Sequence, residues 1–146
     1  MHAITKDTVC KGRCYCGASH FETDTKPATV AYCHCADCRR VTGAPVAAFA
    51  QFPEGTVLLQ GPVTNLRRGD VTRQFCNSCG SPLTAQFDYL PGQIYVAVGC
   101  LENAASFAPE LHCHAEARLP WLCLTDDLPR APTSARKALI DRSVSE

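Results

Sequence analysis

Three cysteines form the densest set of metal-ligating residues in this 146-residue chain: Cys33, Cys35 and Cys38 lie within six positions. Zinc prefers thiolate ligands, and ligands two or three residues apart can share one ion because a short turn points both sulfurs inward. Three ligands with no evident fourth predict an open site, in which water or a substrate completes the tetrahedron. Zinc in such a site would bind a substrate thiolate well, because sulfur suits it.

Spacing alone leaves a second interpretation of this run open. Structural sites are the commoner use of clustered cysteines, so the run could be a closed second site with a fourth ligand from elsewhere. The candidates for that ligand are His34, Cys10, Cys113 or another nearby histidine. A redox interpretation of Cys35-x-x-Cys38 or Cys76-x-x-Cys79 is weaker, because such motifs usually open a helix in a βαβ setting and the sequence around neither pair indicates one.

Two further cysteine pairs flank the run, Cys14 with Cys16 before it and Cys76 with Cys79 after it. A glycine follows each pair, and glycine allows the tight turn that directs backbone N–H groups toward thiolates. Two such knuckles, distant in sequence and joined at one ion, form the zinc-ribbon arrangement, which couples metal binding to folding. The spacing therefore predicts one structural zinc held by these four thiols.

Composition bounds the class of protein. The length predicts one domain over residues 1–146, and a hydrophobic fraction of 46% allows a core. Fourteen basic and 14 acidic residues balance, so no global positive charge indicates nucleic-acid binding. No apolar run approaches the roughly 20 residues of a membrane helix, and the N-terminus lacks the apolar core of a signal peptide. We therefore expect a cytoplasmic protein with no membrane or nucleic-acid partner; a homo-oligomer is compatible with the sequence.

The cysteine count argues against a disulfide framework. Eleven is an odd number, and cytosolic thiols stay reduced, so the clusters indicate metal binding instead. Four cysteines lie outside the clusters: Cys10, Cys100, Cys113 and Cys123. We expect core or incidental roles for all four, because a free cysteine behaves as a small hydrophobic residue.

Histidines and arginines close to the clusters are the remaining candidates for chemistry. His34 is expected to point outward from the thiol run, and His112 with His114 is expected to form a surface pair. Arg39 and Arg40 directly follow the run, and arginine binds carboxylates through two parallel hydrogen bonds. They are therefore the predicted substrate-binding residues.

Short strands separated by glycine and proline turns must position these residues. Strands are predicted over residues 18–23, 29–32, 46–52, 56–60, 63–68, 71–75, 83–87, 94–98 and 111–115. One helical turn is predicted over residues 37–41, an anchoring segment at Trp121 and Leu122, and a final amphipathic helix over residues 134–142. This pattern predicts a mostly-β fold, a sandwich or an open barrel, with very little helix.

Three motifs carry a resemblance to a known family. They are Gly12-x-Cys14-x-Cys16-Gly17-Ala18, Cys33-His34-Cys35-x-x-Cys38-Arg39-Arg40-x-Thr42-Gly43-Ala44-Pro45 and Phe75-Cys76-x-x-Cys79-Gly80-Ser81-Pro82-Leu83. Together they resemble the glutathione-dependent formaldehyde-activating enzyme (Gfa) family, which also includes the vertebrate centromere protein V. The resemblance runs from about Gly12 to Pro129 and leaves residues 130–146 as a C-terminal tail.

The resemblance implies a tent-like fold of short antiparallel strands that holds two zinc ions per chain. Its implied metal ligands are Cys14, Cys16, Cys76 and Cys79 for a structural ion, and Cys33, Cys35 and Cys38 for a catalytic ion. It implies a carbon–sulfur lyase that condenses formaldehyde with glutathione to S-hydroxymethylglutathione, so a small thiol is the expected partner. The alternative is a zinc-stabilised binding module without catalysis.

Overall fold

The predicted mostly-β fold is confirmed by the computed structural model, which describes residues 10–134. Its strands and its α-helix are, in chain order, β1 (Cys10–Arg13), β2 (His20–Thr23), β3 (Thr29–Cys33), α1 (Ala36–Thr42), β4 (Ala47–Pro53), β5 (Val63–Arg68), β6 (Val71–Cys76), β7 (Pro82–Phe87), β8 (Gln93–Ala97) and β9 (Leu111–Cys113). Short 3₁₀ turns cover Val98–Cys100, Ala104–Ser106 and Ala115–Ala117. Within residues 10–134, no helix has the length and apolar character needed to cross a membrane.

The strands form two sheets. β1 and β2 make a two-stranded antiparallel sheet, and the other seven strands form one sheet in the order β5-β6-β7-β8-β4-β3-β9. Neighbouring strands of the large sheet are antiparallel, except for β3 and β9, which are parallel. The resemblance implied antiparallel strands throughout. The exception arises because β9 reaches the sheet edge after a long connection and not through a hairpin.

Alternation along the strands gives the large sheet two different faces. One face carries Ala50 of β4, which packs with Phe21 of β2 in the main hydrophobic core. On the opposite face, Thr29 of β3, Gln51 of β4 and Tyr95 of β8 lie directly across from one another. Successive side chains of a strand point to opposite faces, so these three residues are not part of the main hydrophobic core.

Most predicted strands are present. In β2, Phe21 is buried while His20 and Glu22 are exposed, as the sequence pattern indicated. The hairpin predicted around Gly69-Asp70 is also confirmed, with β5 and β6 paired from end to end. The predicted helical turn exists as α1, and it ends at Gly43, whose N–H donates to the Arg39 carbonyl at 2.8 Å.

The strand predicted over residues 56–60 is wrong. Only Gln60 pairs in this segment, through an isolated bridge to His20. Val57 is buried, but Leu58 is 69% exposed. This segment is therefore an extended connection that buries Val57 but forms no ladder of hydrogen bonds with a neighbouring strand.

The anchoring segment predicted at Trp121 is also wrong, because this side chain is 66% exposed. Backbone hydrogen bonds dock the tail instead. The His112 N–H donates to the Pro129 carbonyl at 2.9 Å, and the Ala131 N–H donates to the His112 carbonyl at 2.8 Å. The helix predicted over residues 134–142 lies outside the described residues from position 135 onward.

Gly61 lies against the backbone of Ala18, just after the first cysteine pair, and we predict that Gly61→Ala destabilises the protein. Its φ is +96°, and an added Cβ would overlap the Ala18 carbonyl, which is backbone and cannot rotate away. We expect a loss of at least roughly 3 kcal/mol in the free energy of unfolding, measured by urea denaturation. Gly55→Ala is the matched control, because its φ is +89° but its surroundings are open. It should cost only about 1 kcal/mol, and equal losses would contradict the close-approach explanation.

Candidate functional site

Two knuckles bring four cysteine sulfurs together near the junction of the two sheets. Cys14 and Cys16 follow β1, while Cys76 ends β6 and Cys79 comes three residues later. Their four Sγ atoms lie within 4.8 Å of one another. The Cys14 and Cys16 sulfurs are 3.5 Å apart, and those of Cys16 and Cys76 are 3.8 Å apart. The structure thus groups the four cysteines that the spacing had paired.

Both knuckles use the same local geometry. The Gly17 N–H donates to the Cys14 carbonyl at 3.1 Å, and the Gly80 N–H donates to the Cys76 carbonyl at 2.8 Å. Gly17 and Gly80 have φ values of 82° and 80°, which side chains with a Cβ rarely adopt. The glycine that follows each pair is therefore what turns the chain back over its sulfurs.

Ser81 connects the two knuckles through hydrogen bonds, a role that cysteine spacing does not predict. Its Oγ accepts a hydrogen bond from the Tyr15 N–H at 3.0 Å and lies 3.1 Å from Cys79 Sγ. The Ser81 hydroxyl lowers the pKa of the Cys79 thiol to about 5. A serine two residues after a cysteine pair supplies a donor that favours the thiolate, which is the form that binds metal.

The second cluster lies where β3 meets α1. Cys33 ends β3, Cys35 is the N-cap of α1, and Cys38 lies in the helix. Their three sulfurs lie within 4.8 Å of one another, and no fourth histidine, cysteine or carboxylate of residues 10–134 joins them. The Cys33 and Cys35 sulfurs are 3.4 Å apart, and Cys35 Sγ accepts the Cys38 N–H at 3.3 Å.

The proximity of three thiols sets their protonation. Hydrogen bonds from Cys33 and then Cys38 hold the pKa of Cys35 far below its usual range. The same contacts raise the pKa of Cys38, through Cys33 first and then Cys35. Thiolates this close repel one another, so full ionisation of the cluster requires a compensating cation. A divalent cation would remove this repulsion, and a soft one such as zinc suits sulfur ligands.

None of the candidates named for a fourth ligand completes this second cluster. Cys10 packs in the hydrophobic core on the other face of the large sheet. Cys113 lines the same cavity as Cys33, but its sulfur is not among those that lie within 4.8 Å of one another. His34 is turned to the opposite side of β3, where it contacts another histidine.

A narrow cavity of about 50 Å³ opens beside Cys33 and Cys38. Its apolar walls come from Ala31, Phe49, Phe87 and Leu90. His114 also lines it, because a left-handed φ of 51° breaks the alternation that was expected to place it beside His112. The expected surface pair of histidines is therefore wrong, and the thiol cluster is next to a mostly apolar recess.

On the opposite side of β3, a buried chain of polar groups supports the cluster. His34 is fully buried, which corrects the prediction that it points outward. Its Nε2 lies 2.8 Å from His112 Nδ1, and His112 Nε2 lies 3.0 Å from Asp126 Oδ2. Hydrogen bonds from Arg130 and then His112 lower the pKa of Asp126 to about 2. The ionised Asp126 makes His112 the donor at Nε2, so His34 donates to His112 through its own Nε2.

This chain fixes the backbone between two of the clustered thiols, because His34 stands between Cys33 and Cys35. Burial lowers the pKa of His34, which keeps it neutral. Arg39 adds a second restraint, since its Nη1 donates to the carbonyls of His34 at 2.6 Å and Ala117 at 2.9 Å. Arg40, by contrast, is exposed on α1.

A comparison with known protein families identifies the family of this chain. The family profile described as glutathione-dependent formaldehyde-activating enzyme matches residues 9–117. The chain belongs to this family. The matched residues include all seven clustered cysteines and end before Asp126 and Arg130.

A solved structure agrees with this fold. The crystal structure of a Rhodobacter sphaeroides protein, a structural-genomics target, is similar with a TM-score of 0.54 and 27% sequence identity. The similarity covers 64% of this chain and 88% of that chain. No curated protein matches the chain.

Loss of the four-thiol cluster should unfold the protein. Cys16 and Cys76 are 60 residues apart, so a metal bound there closes a long loop. We expect Cys79→Ser to lower the thermal midpoint by more than roughly 10 °C, and a strong chelator to do the same to the wild type. Cys123→Ser, at an exposed cysteine outside both clusters, is the control. An unchanged melt of Cys79→Ser by circular dichroism would contradict a structural role.

The buried histidine chain should contribute measurably to stability. His112→Phe keeps the ring volume but leaves His34 Nε2 without its acceptor and removes a donor from Asp126. We expect the free energy of unfolding to fall by about 2–4 kcal/mol in urea denaturation. His20→Phe, at an exposed histidine, should change it by less than about 0.5 kcal/mol. Similar values for the two variants would show that the chain is not stabilising.

Proposed function

We propose that this Gfa-family chain is a zinc-dependent carbon–sulfur lyase acting on S-hydroxymethylglutathione or a related thiol adduct. The supporting observation is the three-thiol cluster, which lies beside a buried cavity and has no fourth ligand among the described residues. A closed structural site needs four ligands, whereas a catalytic site keeps one position open. The four-thiol cluster meets the structural requirement in the same chain.

The proposal assigns two zinc ions to the seven clustered cysteines. The structural ligands are Cys14, Cys16, Cys76 and Cys79, and the catalytic ligands are Cys33, Cys35 and Cys38. Zinc at the second set would supply a binding position for a thiolate and a Lewis acid for the adduct oxygen. Seven reduced thiols require a reducing compartment, so we place the protein in the cytoplasm.

The reaction needs little more from the chain than binding and orientation. In the synthetic direction, the glutathione thiol loses its proton, its sulfur bonds to the formaldehyde carbon, and the carbonyl oxygen gains a proton. The lyase direction breaks the same carbon–sulfur bond and reverses both proton transfers. The apolar walls of the cavity limit water beside Cys33 and Cys38, which strengthens polar interactions at the reacting atoms.

Arg40 and Arg39 have different parts in this proposal. Arg40 is exposed two residues beyond Cys38, where its guanidinium can bind a substrate carboxylate in a bidentate manner. The Nη1 of Arg39 already donates to two backbone carbonyls. Arg39 therefore holds the thiol loop in place and offers a substrate only its remaining N–H groups.

Cys35→Ser tests the catalytic assignment. Serine is a favourable N-cap and keeps an acceptor for the Cys38 N–H, so α1 should persist while a metal ligand is lost. We expect a folded protein with one zinc per chain whose acceleration of adduct exchange falls at least roughly 100-fold. Exchange between formaldehyde, glutathione and the adduct is followed by NMR, with zinc counted by elemental analysis.

Two results would count against the proposal. If the zinc-loaded wild type does not accelerate exchange over buffer, the named reaction is wrong. If Cys35→Ser unfolds as completely as Cys79→Ser, the second cluster is structural and the chain is a zinc-stabilised binding module. Cys123→Ser should retain wild-type exchange rates in the same assay.

A further inference from the structure

We propose that the cavity beside the three-thiol cluster binds an uncharged, amide- or hydroxyl-bearing arm of the thiol substrate through Thr29, Gln51 and Tyr95. The inference rests on the proposed function in one respect, namely that the sulfur end of the ligand lies at Cys33 and Cys38. It goes further by naming the residues and the chemistry that select the rest of the ligand.

The first observation is a set of buried polar groups without partners. Thr29, Gln51 and Tyr95 are 2%, 0% and 9% exposed. Thr29 Oγ1, both polar side-chain atoms of Gln51 and the Tyr95 hydroxyl make no hydrogen bond with another protein group. Burying such groups without partners is unfavourable, and native proteins almost always satisfy them. Four unsatisfied atoms at one place therefore indicate a site whose partner is a ligand.

The second observation is their common position. Thr29 pairs with Gln51 across β3 and β4, and Gln51 pairs with Tyr95 across β4 and β8. All three line the cavity that Cys33 and Cys38 also line. They therefore form one polar row across three strands, facing the same recess as the thiols.

The third observation is the distance between the polar row and the thiols. Cys33 lies four residues beyond Thr29 on the same face of β3, which corresponds to roughly 13 Å along the strand. The pair Ala31 and Phe49 lies midway and lines the cavity with apolar surface. A ligand that reaches both ends must be narrow and elongated, with an apolar middle.

The charge of the wall decides the class of ligand. Among the described residues, no lysine, arginine, aspartate or glutamate lines the cavity, and the histidine that does, His114, follows Cys113 at the thiol end and not at the polar row. Burial also raises the pKa of the Tyr95 phenol, which keeps it a neutral donor. A carboxylate or ammonium would lose its hydration there without gaining a counter-charge. An amide offers a donor and an acceptor together, and so it matches the carboxamide of Gln51.

Isothermal titration calorimetry of the zinc-loaded protein tests the inference with three thiols of similar length. N-(6-mercaptohexyl)acetamide carries a neutral amide, 1-nonanethiol carries no polar group, and 8-mercaptooctanoate carries a carboxylate, and each chain is long enough to extend from the thiols to the polar row. The quantity to compare is the ratio of dissociation constants, because it cancels the contribution of the common thiol. We expect the amide to bind roughly tenfold more tightly than the alkyl chain and the carboxylate to bind weakest.

Gln51→Met isolates the polar row, because methionine keeps the length of the side chain and removes both polar atoms. The preference for N-(6-mercaptohexyl)acetamide over 1-nonanethiol should fall about tenfold, while the zinc content stays unchanged. The free protein should also melt roughly 2–5 °C higher, because an unsatisfied buried amide has been removed. Tyr95→Phe is a second variant with the same expectations, and Gln60→Met, at an exposed glutamine of another recess, is the control.

The outcomes separate this inference from the proposed function. Equal affinities of the wild type for the amide and the alkyl thiol overturn the inference alone, because thiol binding at the cluster is then intact. Tighter binding of 8-mercaptooctanoate than of N-(6-mercaptohexyl)acetamide also overturns it, because the arm would then be an anion. If none of the three thiols binds, the open thiolate position is wrong and the inference fails with it.

Discussion

Repulsion between neighbouring thiolates is the constraint on which this structure depends. Seven cysteine sulfurs are confined to two clusters, each within 4.8 Å, and neither cluster can ionise fully unless a cation lies among its sulfurs. Donors from Ser81 and from the backbone already favour the thiolate of Cys79 in the four-thiol cluster. The glycine turns of the knuckles and the N-cap position of α1 hold the sulfurs close together despite the repulsion between thiolates. Folding and metal binding are therefore coupled through the same residues.

The two faces of the large sheet have different roles at the three-thiol cluster. β3 places Cys33 toward the cavity and Tyr32 toward the other face, where the Tyr32 ring stacks on His112 with centroids 4.7 Å apart. The histidine chain beyond it continues to Asp126 in the tail. One face thus fixes the loop that carries the thiols. The other face lines the cavity that the thiols share with the unsatisfied polar atoms. A recess that keeps such atoms gives up stability, which is typical of binding sites.

Local patterns predicted those features that depend on neighbouring residues. The alternation in β2, the hairpin at Gly69-Asp70 and the turn of α1 follow from periodicity and turn chemistry, which act over a few residues. The same reasoning failed over residues 56–60, because apolar side chains there are buried without any strand pairing. It failed for Trp121, because the tail docks by backbone hydrogen bonds to His112, which leave no trace in side-chain type.

The sequence by itself determined which cysteines could share an ion. Ligand spacing and the glycine after each pair are local features. They therefore predicted the four-thiol cluster and the three-thiol cluster before the fold was known. Only the tertiary structure decided what surrounds them. Whether His34 faces solvent, whether Cys113 completes the second cluster, and whether Gln51 meets a partner depend on pairing between strands distant in the chain. Such pairing is set by the global register of the sheet, and no local pattern encodes it.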